Sequence, residues 1–389
     1  MTDKLELQNL IVALLRAQLR REELPVAVQN GLTEDTLAGI FKLAKHHDIA
    51  HILAQALECA LLPKTELAEA FFAQRQMAVY RYEQINYEYL NLCRAFENEK
   101  IFFIPLKGAV IRTLYPEPWM RTSCDIDILV DEADLGRAEN ACEALGYELQ
   151  SRNFHDVSYH SPGGVHLELH FSICENIPAF DKVLKRYKDY LRPVRDTGYE
   201  YAFDPEFFMF HNIAHAAYHF LQGGCGVRAV VDLWLLWQKA DFDEAIVKSL
   251  CRESGLEKFY LAIQELASVW FDGAAPTDRT KNLQNYIFDG GVYGTIENKA
   301  GVSATKSSRV RTFWWYAFLP LSIMQISYPI LKKHKWLLPA CWVARWMKIL
   351  FRKGGISKET RRSMTARSGV TNEEKAKTAA LLKDLELLK

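Results

Sequence analysis

The sequence has no excess of charge of either sign, since 48 Lys and Arg residues balance 48 Asp and Glu residues over 389 positions. Without a net positive charge, we expect no sequence-specific nucleic-acid partner. The hydrophobic share of 49% and the charged share of 25% are those of an ordinary globular protein, which excludes a fibrous or disordered chain. At this length we expect two or three domains.

Paired cysteines are also missing. Eight cysteines stand at irregular spacings, and none forms a Cys-x-x-Cys pair. This pattern excludes a disulfide framework and a cysteine-ligated zinc site, and it is typical of reduced thiols in a cytosolic protein. The N-terminus carries Asp3 and Glu6 and no basic residues followed by an apolar run, so we expect no signal peptide and a cytoplasmic location.

No uninterrupted apolar run is long enough to cross a membrane. The most apolar block, residues 313–324, contains Pro320 and is soon followed by Pro329, whereas a span needs about 20 clean apolar residues. A second block, 336–351, mixes tryptophans with basic residues. The region 309–353 is typical either of a helix that covers the protein's own core, which we favour, or of a basic amphipathic helix that attaches the protein to the inner membrane.

The chain does contain two carboxylates on a predicted strand. In Asp-Ile-Asp-Ile-Leu-Val, residues 125–130, the alternation has a period of two, so Asp125 and Asp127 point to one face and the apolar side chains to the other. Neighbouring carboxylates repel each other and are costly to desolvate unless a cation lies between them. Mg²⁺ suits a site that also holds phosphates. By itself the pair could equally mark the solvated start of a strand.

A third carboxylate follows on a second alternating segment, residues 165–170. Glu168 is expected on the same face as His166 and His170, while the leucines between them face a core. If this strand lies beside residues 125–130, three carboxylates converge.

A turn that suits phosphate precedes the aspartates. Residues 102–106 form a predicted buried strand that runs into Lys107-Gly108-Ala109 and then a helix. A helix N-terminus offers backbone N–H groups to an anion, and the Lys107 ammonium adds positive charge. A lone lysine is more often a surface residue. Beside a carboxylate cluster, however, this turn predicts metal-assisted phosphoryl or nucleotidyl transfer.

These motifs follow one another in a fixed order: Lys107-Gly108, Tyr115-Pro116, Arg121, Asp125-Ile126-Asp127, Glu168-Leu169-His170. That order resembles the uncharacterised branch of the polymerase-beta-type nucleotidyltransferases. The resemblance implies that Asp125 and Asp127 hold Mg²⁺, that Glu168 acts as a metal ligand or base, and that Lys107 and Gly108 contact the triphosphate. One departure is Ala109, since better-known members carry Gly-Ser or Gly-Gly in this turn.

The resemblance implies an α+β fold: a small mixed β-sheet flanked by helical N- and C-terminal regions. It also implies transfer of a nucleoside monophosphate from ATP or another NTP to an unknown small-molecule, polysaccharide or protein acceptor, at a hydroxyl or a phosphate, with release of pyrophosphate. Two alternatives remain. One is a catalytically degenerate protein that binds a nucleotide or sugar-phosphate; the other is a membrane-surface scaffold in surface-polysaccharide synthesis.

The pattern along the chain divides it into four parts: a helical N-terminal region (1–99), the nucleotidyltransferase α/β core (100–203), a helical lobe (204–300), and a basic aromatic helical C-terminal region with a tail (301–389). Residues 65–97 are predicted to form one long helix that packs on the core. Residues 271–308 are rich in turn formers and are predicted to be a loose connector.

Three histidines, His211, His215 and His219, recur at intervals of four and share one helical face. That spacing can bind zinc, but the cysteines or glutamate of the usual zinc motifs are absent. We therefore favour either a polar stripe that faces the active-site cleft or a hydrogen-bonded face of the core.

Two arginines have alternative partners. Arg121 could pair with Asp125 or Asp127, or it could contact the triphosphate. Arg228 lies four residues before Asp232, a spacing that allows a buried ion pair within one helix. The resemblance instead implies that Arg228 and Asp232 line the nucleotide cleft. Both choices stay open at this point.

Overall fold

A computed structural model describes residues 3–59, 65–292, 294, 295, 298, 299, 302, 318–321, 324, 325, 328–351 and 371–388. Its helices are α1 Lys4–Arg20, α2 Val26–Gly31, α3 Glu34–His46, α4 Ala50–Cys59, α5 Glu66–Asn98, α6 Lys107–Ile111, α7 Leu135–Ala144, α8 Pro178–Leu184, α9 Pro205–Leu221, α10 Gly226–Lys239, α11 Glu244–Ser254, α12 Glu257–Ala267, α13 Asp278–Gly290, α14 Ile330–Lys333, α15 Leu338–Phe351 and α16 Asn372–Asp384. Its strands are β1 Phe103–Pro105, β2 Asp125–Val130, β3 Glu148–Arg152, β4 Asp156–His160, β5 His166–His170, β6 Leu191–Pro193 and β7 Tyr201–Phe203. The predicted α+β class, a small mixed sheet with flanking helices, is confirmed.

Five strands form the main sheet, in the order β1-β2-β5-β4-β3. Strands β2 and β5 are parallel neighbours, and the other pairs are antiparallel. The register places Asp127 opposite Glu168 and Asp125 opposite His166. Because side chains alternate along each strand, all four of these residues project from the same face of the sheet.

The opposite face of the sheet is covered by helices α5 and α7. Helix α5 is the predicted long helix, with 33 residues, and it buries Leu92 and Phe96 against the sheet. The sheet contributes Phe103, Ile126 and Leu167 to this cluster. Burial of such side chains contributes about 1.5–3 kcal/mol each, which fixes which face of β2 and β5 is left for polar residues.

A second, larger hydrophobic cluster joins the helices before the sheet to those after it. Its members include Leu14 from α1, Phe207 and Phe210 from α9, and Phe259 from α12. Helices α9 and α10 therefore lie on a rigid base where they approach the polar face of the sheet. The division of the chain into four parts stays a prediction.

The prediction of a loose connector over residues 271–308 is wrong for residues 278–290, which form helix α13. Thr277 caps this helix, and Thr277 and Thr280 form a reciprocal capping box at its start. The helix buries Leu283, Ile287 and Phe288 in the larger cluster. The glycines at 290 and 291 mark the C-terminus of this helix, and residues 303–308 of the predicted connector lie outside the described part of the chain.

A glycine turn between α9 and α10 is packed against the end of α13. Gly224 has a φ of 148°, and a Cβ added there would lie 2.8 Å from the Cα of Gly290 and 3.2 Å from the Cα of Gly294. Both the backbone conformation and the space therefore require glycine.

Substitution of this glycine should be costly. We expect Gly224→Ala to lower the free energy of unfolding by about 2–4 kcal/mol, since strain and a backbone clash add together. Urea denaturation measures the change. The matched control is Gly136→Ala in α7, where an added Cβ meets nothing within 4 Å and which should be neutral or slightly stabilising. Equal midpoints for the two variants would contradict this account.

The described part of the aromatic C-terminal region packs on itself. Met324, Leu331 and Cys341 form a small cluster of their own, and the Phe318 ring contacts Trp342. Trp336 is 76% exposed. Among the residues described, no helix is long and apolar enough to cross a membrane. Residues 309–317, 322, 323, 326, 327, 352 and 353 lie outside the described part, and membrane attachment stays an open alternative.

Candidate active site

The polar face of the sheet gathers acidic groups at β2 and β5. Ligand atoms of Asp127, Glu168 and His170 all lie within 4.8 Å of one another. Asp125 is not a member of this close group, but it lines the same cavity. Of the three predicted carboxylates, the structure thus brings Asp127 and Glu168 together, whereas Asp125 lines the same cavity outside this close group.

His170 lies between the two closest carboxylates. Its Nε2 is 3.0 Å from Oδ1 of Asp127 and 3.4 Å from Oε2 of Glu168. Burial lowers the pKa of His170, but the hydrogen bonds to these carboxylates outweigh it and raise the pKa to about 9. Sequence reasoning placed His170 on the correct face without assigning it a role. Its spacing of two residues from Glu168 was the available signal.

The carboxylates respond differently to this crowding. Burial and the negative charges of Asp127 and Glu168 raise the pKa of Asp125 to about 6. Burial also raises the pKa of Asp127, but Lys107 and the hydrogen bond from His170 outweigh it and hold this pKa well below its usual range. Asp127 is thus the carboxylate that stays ionised at the centre.

The donor set fits a divalent cation. Two carboxylates and one imidazole offer ligand atoms close enough to share an ion, with His170 serving as a ligand once it has lost its proton. Asp127 and Glu168 are two of the three carboxylates that the resemblance implies at the metal site. The imidazole of His170 adds a nitrogen ligand that the resemblance does not imply. Carboxylate oxygens suit Mg²⁺ and Mn²⁺, and imidazole shifts the preference toward Mn²⁺ and later transition metals.

The turn before α6 faces these groups. Lys107 lines the cavity and has a φ of 28°, in the left-handed region. The backbone N–H of Leu106 donates to the carbonyl oxygen of Asp127 at 3.0 Å, which ties the turn to β2. A Cβ on Gly108 would lie 3.0 Å from Nη1 of Arg121, so the absence of a side chain lets this guanidinium approach the turn.

Arg121 pairs with helix α10. Its Nη2 is 2.9 Å from Oδ2 of Asp232, its Nε is 3.0 Å from Oδ1, and the Tyr115 hydroxyl donates to the same Oδ1 at 2.7 Å. The alternative in which Arg121 pairs with Asp125 or Asp127 is therefore wrong. Arg121 still lines the cavity, and its charge lowers the pKa of both aspartates.

Arg228 also reaches across to the loop before β2. Its Nη1 donates to the carbonyl oxygen of Thr122 at 2.8 Å and lies 3.3 Å from Oδ2 of Asp48. The alternative of an Arg228–Asp232 pair within one helix is wrong, because Asp232 pairs with Arg121 and Arg228 with Asp48. Arg228 lines the cavity as expected, but Asp232 holds Arg121.

The histidine stripe of α9 forms the facing wall. His211, His215 and His219 all line the cavity, which confirms the interpretation as a polar stripe facing the cleft. Burial lowers the pKa of His211 to about 3 and that of His219 to about 4, so both are neutral near pH 7. In the described part of the chain these histidines form no three-ligand metal group.

Glu175 meets the histidine stripe and escaped sequence reasoning. Its Oε1 lies 2.8 Å from Nδ1 of His215, whose Nε2 lies 2.9 Å from Nε2 of His219. Burial raises the pKa of Glu175 to about 7. No local sequence motif predicts this contact, since His215 and His219 lie 40 and 44 residues after Glu175 in the sequence.

All of these groups surround one cavity of about 290 Å³. The sheet supplies the acidic wall, the 106–108 turn and Arg121 supply positive charge, and α9 supplies neutral imidazoles. Such a cavity can hold a polyanion beside a cation, with a second molecule against the histidines.

Comparison with known proteins agrees with this geometry. A family model described as uncharacterised nucleotidyltransferase matches residues 33–272, which include the sheet, the cavity and helices α9 to α12. No curated protein and no solved structure matched the chain. Because the match covers more than half of the chain, this protein belongs to that family of uncharacterised nucleotidyltransferases.

Proposed function

We propose that the protein transfers a nucleoside monophosphate from an NTP to an acceptor and releases pyrophosphate, with a divalent cation, Mg²⁺ or Mn²⁺, held by Asp127 and Glu168. The observation that carries this proposal is the parallel register of β2 and β5. It sets Glu168 beside Asp127, and Asp125, two residues earlier on β2, lines the same cavity as Lys107. Family membership supports the same reaction type.

The residues of the chain have separate tasks in this reaction. When bound, a divalent cation supplies Lewis acidity at the α-phosphorus and screens the triphosphate. Lys107 and the backbone of the turn at Gly108 neutralise phosphate oxygens as negative charge moves to the leaving pyrophosphate. Arg121 and Arg228 fix the loop before β2, and both point their charge at the same cavity.

A screen of nucleotides and metals tests the proposal. We expect one or more of ATP, CTP, GTP and UTP to release pyrophosphate, with turnover abolished by a chelator and restored by Mg²⁺ or Mn²⁺. Because His170 adds a nitrogen to the donor set, Mn²⁺ should support turnover at least as well as Mg²⁺. Pyrophosphate is measured by a coupled assay, and bound nucleotides are identified by mass spectrometry.

Two results would reject this function. Turnover that survives complete removal of divalent ions would exclude the metal centre. Tight NTP binding without pyrophosphate release, with either ion and any of the four nucleotides, would favour a degenerate nucleotide-binding protein.

A further inference from the structure

We propose that Glu175 is the general base of this reaction, that His215 and His219 hold it in position, and that the acceptor atom is therefore a hydroxyl oxygen. This inference rests on the proposed nucleotidyl transfer and adds the acceptor class to it. The supporting observations are a series of hydrogen bonds from Glu175 through His215 to His219 and the place of Asp127 and Glu168 in the group that fits a metal.

Both the backbone and the side chain of Glu175 are held by hydrogen bonds. Its backbone N–H donates to Oδ1 of Asp181 at 2.9 Å, which ties the segment after β5 to helix α8. Its side-chain Oε1 is held by His215 at 2.8 Å. The carboxyl group lines the cavity that also contains Asp127 and Glu168, so an acceptor bound there can meet it.

The histidine pair is suited to orient a carboxylate. When Glu175 is ionised, Nδ1–H of His215 donates to it, and Nε2 of His215 then accepts a proton from Nε2–H of His219. Both ring nitrogens of His215 are used in this chain. His215 is therefore a positioning residue. Of the three hydrogen-bonded side chains, Glu175 is the one that can take a proton from a molecule in the cavity.

Two of the sheet carboxylates, Glu168 and Asp127, are less suited to the same task. Glu168 lies 3.4 Å from His170 and belongs to the group that fits a metal, where its lone pairs are committed. Asp127 accepts a hydrogen bond from His170 at 3.0 Å and belongs to the same group. Burial raises the pKa of Glu175 to about 7, close to the value that favours general base catalysis near neutral pH.

The chemistry identifies the acceptor class. The acceptor oxygen forms a bond to the α-phosphorus as the bond from that phosphorus to the bridging oxygen breaks, and pyrophosphate leaves with the electron pair. The acceptor proton moves to the Glu175 carboxylate. A hydroxyl needs such a base because it is protonated at pH 7, whereas a phosphate acceptor is already ionised and does not.

The test compares Glu175→Gln with the wild type. The amide oxygen of the variant can still accept from His215, but it cannot take a proton. With the best NTP and glycerol as hydroxyl probe, we expect kcat for pyrophosphate release to fall by about 100-fold or more. Affinity for the α,β-methylene analogue of that NTP, measured by calorimetry with the metal present, should stay within about threefold.

Two further variants separate a base from a structural role. Glu175→Ala should regain about tenfold in kcat when formate is supplied, because formate replaces the lost carboxylate. Glu200→Gln is the matched control, since burial also raises the pKa of this glutamate but it does not line the cavity, and it should keep wild-type kcat.

A double-mutant cycle tests the positioning role. We expect His215→Phe to lower kcat by about tenfold in the wild type and to have no further effect in Glu175→Gln, because it acts through Glu175. If the wild type turns over and Glu175→Gln stays within about threefold of it, the base assignment is overturned while the transferase stands. If the wild type releases no pyrophosphate from any NTP, the base assignment and the proposed transferase function are both rejected.

Discussion

Asp127→Asn should abolish nucleotidyl transfer, with kcat lowered by at least about 10³-fold, or about 4 kcal/mol of transition-state stabilisation. Asp127 is buried, faces Glu168 across β2 and β5, and accepts a hydrogen bond from His170. The asparagine keeps the shape of the side chain but removes the negative charge that a divalent cation needs. Affinity for Mn²⁺, measured by calorimetry, should fall by at least about tenfold in parallel.

The control for this prediction is Asp131→Asn, immediately after the same strand. Asp131 pairs with Lys188 on the surface and does not line the cavity, so this variant should keep wild-type turnover and metal affinity. Thermal unfolding of both variants shows whether each is folded. A folded Asp127→Asn protein that retains more than about a tenth of wild-type kcat would remove the metal centre from β2.

The acidic wall could be predicted because it depends on local periodicity. Alternation in residues 125–130 and 165–170 fixed which side chains share a face, and a parallel register with Asp127 opposite Glu168 completed the site. The same periodicity placed His170 on that face. The long helix α5 followed for a similar reason, since its apolar spacing continues without a break over nine turns.

The partners of the arginines could not be predicted in this way. An ion pair four residues apart on a helix is worth only about 0.3–0.5 kcal/mol, so any better tertiary partner replaces it. Arg228 instead contacts Thr122 and Asp48. Asp232 pairs with Arg121 and accepts a hydrogen bond from Tyr115. The role of Glu175 could not be predicted either, because only the packing of the segment after β5 against α9 brings this residue to His215.

These contacts join the two halves of the site. Arg121 comes from the loop before β2, and Asp232 comes from α10, within the predicted helical lobe. The family match extends across both halves, from residue 33 to residue 272. A cavity with one acidic wall on the sheet and one histidine wall on α9 exists only while the lobe is held against the sheet, so the pair that holds it should matter for stability and for binding.

Asp232→Ala should lower the free energy of unfolding by about 3–5 kcal/mol, among the largest effects of any single substitution in this chain. The side chains of Arg121 and Asp232 are only 11% and 10% exposed. The substitution leaves the Arg121 guanidinium buried without its counter-ion and leaves the Tyr115 hydroxyl without its acceptor. Urea denaturation measures the loss. Glu58→Ala removes a surface pair with Arg75 and should cost under about 1 kcal/mol.

A double substitution distinguishes stability from function at this pair. In Arg121→Met with Asp232→Leu, both buried charges are gone and apolar side chains of similar volume remain, so we expect at least about half of the lost stability to return. Nucleotide affinity should stay low, because the charge of Arg121 beside Gly108 is missing. Recovery of wild-type affinity in the double variant would show that Arg121 serves only to dock the lobe. A cost under about 1 kcal/mol for Asp232→Ala alone would show that solvent reaches the pair and that other contacts hold the lobe against the sheet.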